Sequence, residues 1–140
     1  MLVMQGKKVI IDTNIWISYL ITNKYGFLDR FIENGKIKLI FSKELYSEFL
    51  EVIERPKFKK YFKKSDLTKL TNLIDKFGIL VEVSSNVEMC RDKKDDFLLN
   101  LAIESNADYL LTGDLDLLEM KKIINTKIIK IKEFKDIISN

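Results

Sequence analysis

Short apolar runs without polar alternation recur along this chain, and stretches of helical periodicity lie between them. Lys8 to Ile11 (KVII), Lys38 to Phe41 (KLIF), Ile79 to Val83 (ILVEV), Tyr109 to Leu111 (YLL) and Lys127 to Ile131 (KIIKI) read as strands. Helical patterns cover Asn14 to Ile21, Phe27 to Glu33, Ser42 to Glu54, Ser65 to Phe77 and Asp95 to Ser105. A strand that is apolar throughout needs cover on both faces. The alternation therefore predicts an α/β fold: a three-layer α/β/α sandwich, doubly wound around a mostly parallel central sheet. A chain of 140 residues that is 46% hydrophobic has the length and core material of one domain, spanning 1–140, since domains commonly run to ~100–200 residues. Pro56, the only proline, is expected to stop the preceding helix near Arg55, because proline lacks an amide hydrogen and restricts its predecessor.

Composition removes whole classes of chemistry. The chain has no histidine, so histidine acid–base catalysis, serine or cysteine nucleophiles activated by histidine, and the commonest zinc ligands are absent. Cys90 is the single cysteine, which excludes an internal disulfide and cysteine-cluster metal sites and fits a cytoplasmic address. In our reading it fills a small space. The net charge of +3 is too small to announce a polyanionic partner. The apolar stretch from Ile15 to Ile21 is too short to span a membrane and follows Asp12 rather than a basic leader, so no targeting segment is read. Any reaction must come from carboxylates, hydroxyls or lysines.

Ligands of open α/β sheets bind at the carboxyl ends of the strands. Asp12 ends the first strand (VIIDTN) and Asp114 follows the fourth (YLLTGD), where Gly113 is expected to let the backbone turn tightly. Each acid alone is explained by capping the next helix. Two of them on neighbouring strands would repel, a cost that a cation removes. At ~100° per residue the apolar face of Ser42 to Glu54 runs through Val52, Leu45, Phe49, Ile53 and Tyr46. Glu48 lies on its margin, while Glu44, Glu51 and Glu54 turn toward solvent. On Asp95 to Ser105 the stripe centres on Leu98, Ala102 and Leu99. Asp95 projects onto it, either as an N-cap or as a ligand, with Asp96 about a quarter turn away. Asp12, Glu48, Asp95 and Asp114, with Asp116 as a possible fifth member, form an oxygen-only donor set suited to Mg²⁺ or Mn²⁺ and to phosphodiester hydrolysis.

The blocks VIIDTNIWISYL, SKELYSEFLEVIERPKF and RDKKDDFLLNLAIESNADYLLTGDLDLL, in this order and spacing, resemble the PIN domain nucleases. Within that family they are similar to the VapC-like toxins of toxin–antitoxin pairs. The resemblance implies catalytic acids at Asp12, Glu48, Asp95 and Asp114, and metal ligands at Asp12, Asp95, Asp114 and Asp116. Thr13, Asn14, Asp96 and Thr112 match polar positions that support the acids, and the adjacency of Asp95 and Asp96 leaves the third acid open by one position. The resemblance also implies a Mg²⁺-dependent endoribonuclease acting on an RNA substrate, a homodimer and an inhibitory antitoxin.

Arg55, Lys57, Lys59 and Lys60 belong to a basic, aromatic segment that could track RNA. The spacing of Phe58, Tyr61 and Phe62 points first to a short helix packed on the core with wet lysines. Trp16 and Tyr19 have core spacing. Two rival functions were weighed: a Mg²⁺-dependent phosphoryl-transfer protein of receiver or haloacid-dehalogenase type, and a silent RNA-binding module. Asn14 stands where the dehalogenases carry a second Asp, and Ser84 and Ser85 follow the third strand, where receivers carry the Asp that is phosphorylated. All four acids are present, which gives the silent module no support.

Overall fold

Apolar strands need cover on two sides, and the fold supplies it. The structure, a computed structural model, describes residues 6–22, 24–84 and 93–139. Cys90 and Ser85 lie outside the described residues. Strands β1 (Lys7–Ile11), β2 (Ile37–Phe41), β3 (Gly78–Leu80), β4 (Tyr109–Leu111), β5 (Lys122–Ile123) and β6 (Thr126–Ile129) form one sheet in the order β3-β2-β1-β4-β6-β5. All pairings are parallel except that of β5 with β6. The connecting helices are α1 (Thr13–Thr22), α2 (Phe27–Glu33), α3 (Lys43–Ile53), α4 (Pro56–Lys59), α5 (Lys64–Phe77), α6 (Lys93–Ser105), α7 (Leu115–Met120) and α8 (Ile131–Ser139). The mostly parallel, doubly wound sandwich is thus the observed architecture.

The centre of the sheet is fully sequestered. Val9, Ile10 and Ile11 of β1 and Leu110 and Leu111 of β4 are at most 1% exposed. Register holds these two strands together along their length, with Val9 opposite Tyr109 and Ile11 opposite Leu111. Below them, Lys8 N–H donates to the Asp108 carboxylate at 2.8 Å and Asp108 N–H returns a bond to the Lys8 carbonyl at 2.9 Å. Helix α3 starts where Ser42 Oγ accepts the Leu45 amide at 3.1 Å, an N-cap that satisfies one orphan donor. It buries Leu45, Phe49, Val52 and Ile53, the stripe expected of it. Helix α6 ends in left-handed Asn106, which tolerates positive φ better than a branched residue would.

Several expectations are corrected. The third strand stops at Leu80 instead of Val83, and it is a sheet edge with Leu80 73% exposed, not a fully buried strand. The fifth predicted strand ends at Ile129, and Ile131 already begins α8. The short elements α7, β5 and α8 were not foreseen; six and two residues carry too little periodicity for the first two. Helix α3 ends at Ile53, and Pro56 serves as first residue of α4, where its missing amide hydrogen costs nothing. Phe58 and Phe62 pack against the core, but Tyr61 is 57% exposed, because α4 is too short to carry it inward. Trp16 and Tyr19 are core residues, and Trp16 lies 5.3 Å from the Phe41 ring centre. No helix among the described residues is long and apolar enough to cross a membrane.

Gly78 joins α5 to β3 where no side chain fits. A Cβ there would stand 2.6 Å from the Ile74 carbonyl oxygen, which is backbone and cannot swing aside. Gly78→Ala is expected to lower stability by about 1–3 kcal/mol, the usual cost of overpacking. A urea titration with an unchanged midpoint would show that the helix end shifts freely.

Candidate metal centre and comparison with known proteins

The strand order reverses direction of growth at β1 and β4, and the crevice at their carboxyl ends is where α/β sheets place ligands. Asp12 follows β1 directly, with its N–H donating to the Leu111 carbonyl at 3.0 Å. One residue past β4, buried Thr112 donates its hydroxyl to Asp12 Oδ2 at 2.7 Å. The same hydroxyl oxygen accepts the Asp114 amide at 3.0 Å. Thr112 therefore ties the two acid-bearing strand ends to each other through a single side chain.

Asp12 is half-buried, and its carboxyl is pushed above the ordinary value of 3.8. Burial is the largest cause, and the charge of Asp114 adds to it. The Thr112 hydroxyl and the backbone amides of Asn14 and Thr13 pull the other way without cancelling it. Asp114 accepts from the Asp116 amide at 2.8 Å and the Leu117 amide at 3.4 Å, both through Oδ1, so it does cap α7. Oδ2 takes no part in that cap.

Glu48 reaches the same region from α3. Its Oε2 accepts the hydroxyl of buried Thr13 at 2.6 Å, one residue from Asp12. Glu44, Glu51 and Glu54 are exposed, as the helical projection requires. A cleft of about 410 Å³ runs beside Glu48 and is lined also by Lys43, Ser47 and Phe97. Phe97 connects it to the start of α6, where Asp95 and Asp96 are 7% and 8% exposed. Helix α6 opens at Lys93, so Asp95 sits within the first turn and is not its N-cap. Burial does not separate Asp95 from Asp96; the Asp96 carbonyl accepts from the Asn100 side chain at 2.9 Å. Asp116 and Asn14 are exposed at the rim.

Asp12, Asp114 and Glu48 are thus drawn to one sheet edge through two threonines, with Asp95 and Asp96 on the helix that flanks Glu48. Among the described residues no three acids close into a finished metal cage. The donor set is nevertheless all oxygen, and a buried carboxylate beside a second one gains from a cation, so the residues fit a hard divalent ion. Gly113 corrects an expectation: its φ is not positive and an added Cβ would meet nothing within 4 Å, so no tight turn demands glycine there. Phe97 was missed by periodicity because it lies outside the apolar stripe of its own helix.

Comparison with known proteins gives the family of this fold. Residues 8–116 match the model of the PIN domain. The chain belongs to the PIN domain family. PIN domains are nucleases, and they generally use divalent metal ions. The protein MJ1680 of Methanocaldococcus jannaschii, itself uncharacterized, is 33% identical over 118 residues, covering 81% of this chain and 75% of its own. Among solved structures, VapBC2 from Rickettsia felis bound to a DNA fragment from its promoter is similar at a TM-score of 0.57 and 16% identity. That match covers 86% of this chain and 96% of the other. The PIN domain endonuclease Utp24 is similar at a TM-score of 0.54 and 18% identity, covering 86% and 82%. At these identities the likeness is one of fold.

The raised Asp12 carboxyl makes a thermodynamic prediction for this PIN domain. A carboxyl whose folded pKa exceeds its unfolded one binds more protons when folded. Its ionisation therefore opposes folding, and stability falls as pH rises from the unfolded value through the folded one. In chelator at neutral pH, Asp12→Asn should melt at or above the wild-type temperature, and the gap should shrink as pH falls through the raised folded value toward 3.8 and stay closed below it. A mutant that melts well below wild type throughout would show that Asp12 stabilises the metal-free fold.

Proposed function

We propose that this PIN domain is a cytoplasmic Mg²⁺-dependent endoribonuclease, with Mn²⁺ able to substitute, and the toxin of a toxin–antitoxin pair. The observation that carries the reading is the Asp12–Thr112–Asp114 linkage across the switch of strand order. The Asp12 carboxylate and the Asp114 backbone are joined there, in a partly desolvated crevice where the Asp114 charge raises the Asp12 pKa. When bound, a divalent ion would supply Lewis acidity at a phosphate and lower the pKa of an attacking water.

The chain's own residues do the positioning. Asp12, Asp95, Asp114 and Asp116 are the proposed metal ligands, with Asp96 as the alternative on α6. Thr112 fixes the Asp12 carboxylate by occupying Oδ2, and Thr13 orients Glu48 by the bond to Oε2. Glu48 would take the proton of a water that adds to the phosphorus as the P–O3′ bond breaks, leaving a 5′-phosphate and a 3′-oxygen that takes a proton from solvent to become the 3′-hydroxyl. Asn14 lies at the exposed rim beside them. Arg55, Lys57, Lys59 and Lys60 are exposed and can steer a polyanion, although Lys59 spends part of its charge on Glu54 at 3.6 Å. They stand at the far end of α3, about 10 Å along its axis beyond Glu48. Likeness of fold to VapBC2 supports an antitoxin partner for this chain, and a homodimer is proposed with it.

Purified protein should cut structured RNA with Mg²⁺, lose all cutting in EDTA, and lose more than about a hundredfold in Asp12→Asn. Metal-independent cleavage or a fully active mutant would refute the mechanism. Thr112→Val should cost about 10–100-fold, as removal of a partner that orients a ligand does, and Thr112→Ser should restore most of it. Equal activity of the valine and serine variants would remove Thr112 from the machinery. Growth arrest on expression, relieved by a co-expressed antitoxin, separates a toxin from an RNA-processing enzyme.

A further inference from the structure

A second cleft, of about 290 Å³, lies between the entry to α2 and the first turn of α8. It is lined by Lys24, Tyr25, Phe27, Ile131, Lys132 and Lys135. Three lysines and two aromatic rings therefore share one cleft. Lys24 Nζ lies 5.6 Å from the Tyr25 ring centre, and Lys135 Nζ 5.5 Å from that of Phe27. Both rings are half-buried, with one part packed on the core and the rest turned to the cleft. Among the described residues none of the three lysines has a carboxylate within ion-pair distance, although Glu133 and Asp136 share α8 with two of them. Like charges gathered without counterions oppose folding, so packing alone gives no reason for this grouping.

We propose that this cleft is a nucleotide subsite on the RNA path. Tyr25 and Phe27 take a base by stacking, and Lys24, Lys132 and Lys135 neutralise the phosphates on either side of it. The proposal rests on the ribonuclease reading above and adds where the substrate strand runs. Its position follows from the sheet. The Ile129 carbonyl, at the end of β6, accepts the amide of Thr112 at 3.1 Å, and α8 begins two residues later. The α8 wall of the cleft is therefore within about 7 Å of chain from the strand end beside Thr112. Its other wall follows the far end of α1, a ten-residue helix about 15 Å long that begins directly after Asp12, a span of roughly two or three nucleotides of extended strand. A strand cut at the acids can continue into this cleft, whereas an acidic peptide would use the lysines and leave the rings idle.

The test is fluorescence anisotropy of the full chain with a labelled oligouridine of about a dozen nucleotides, in EDTA so that nothing is cut. Lys132→Ala/Lys135→Ala should weaken binding about tenfold and flatten the log–log salt dependence by about 0.7 per lost phosphate contact. Both lysines are exposed, so this variant should fold as wild type does. Tyr25→Leu, at unchanged melting temperature, should weaken binding about fivefold with the salt slope preserved. A charge-matched control on α5, Lys64→Ala/Lys76→Ala, should stay within about twofold of wild type. If wild type binds and cuts RNA while the lysine variant matches the control, the subsite is wrong and the nuclease reading stands. If wild type neither binds nor cuts RNA, both fall. Uridine monophosphate binding as tightly as the oligomer would make the cleft a free-nucleotide site. Oligoglutamate binding as tightly and failing in the same variants would make it a peptide site, and either result overturns the proposal.

Discussion

The pairing of β1 with β4 is the contact on which everything else in this molecule depends. These strands are far apart in sequence, and their register sets Ile11 opposite Leu111. That single alignment puts Asp12 and Thr112 side by side at the strand ends, with the Asp12 amide bonded to Leu111. In a parallel sheet, slipping one residue would turn every side chain of β1 to the other layer. Since Val9, Ile10 and Ile11 are all buried, the sheet resists such a slip through lost cross-strand hydrogen bonds and misfit with both helical layers. The geometry of the acids is thus inherited from the core.

A site made this way carries an electrostatic cost in the fold. Asp12 loses hydration and faces Asp114, and the threonine hydroxyl and two amides that hold it compensate only in part. The imbalance favours binding a cation, because the cation removes the repulsion that burial amplifies. Glu48 is different. Among its partners is the Thr13 hydroxyl, a neutral donor that fixes the direction of Oε2. The Thr112 hydroxyl likewise brings no positive charge to Asp12, whereas a lysine there would have filled the role of the metal.

Much of this was legible before any coordinates. The fold followed from strands whose apolarity was continuous, and Glu48 emerged from helical projection because α3 has a narrow stripe with one acid at its edge. Less was visible where periodicity is short or composition misleads. Helix α7 has six residues and β5 two, too few to show a period. Strand β3 looked like the inner strands by composition, yet its place at the sheet edge exposes Leu80, which only topology decides. Gly113 invited a conformational explanation that its backbone does not need. The cleft at Tyr25 and Lys135 joins residues about a hundred positions apart with no local signature, so no window of sequence could reveal it.

Five of the proposed acids lie at three helix starts: Asp12 before α1, Asp114 as the cap of α7 with Asp116 in its first turn, and Asp95 with Asp96 in the first turn of α6. The coincidence has a physical use. A helix N-terminus presents unpaired amides and a partial positive charge, worth about 0.3–1 kcal/mol to a nearby carboxylate. Capping and metal binding therefore draw on the same property, and a residue can serve both, as Asp114 does by committing only Oδ1 to its cap. Two of these helix starts hold Asp12 and Asp114 near each other, where a divalent ion would relieve their repulsion. Acids at strand ends in a doubly wound fold are caps by default, and the crevice between β1 and β4 is what turns this set of caps into a candidate catalytic centre.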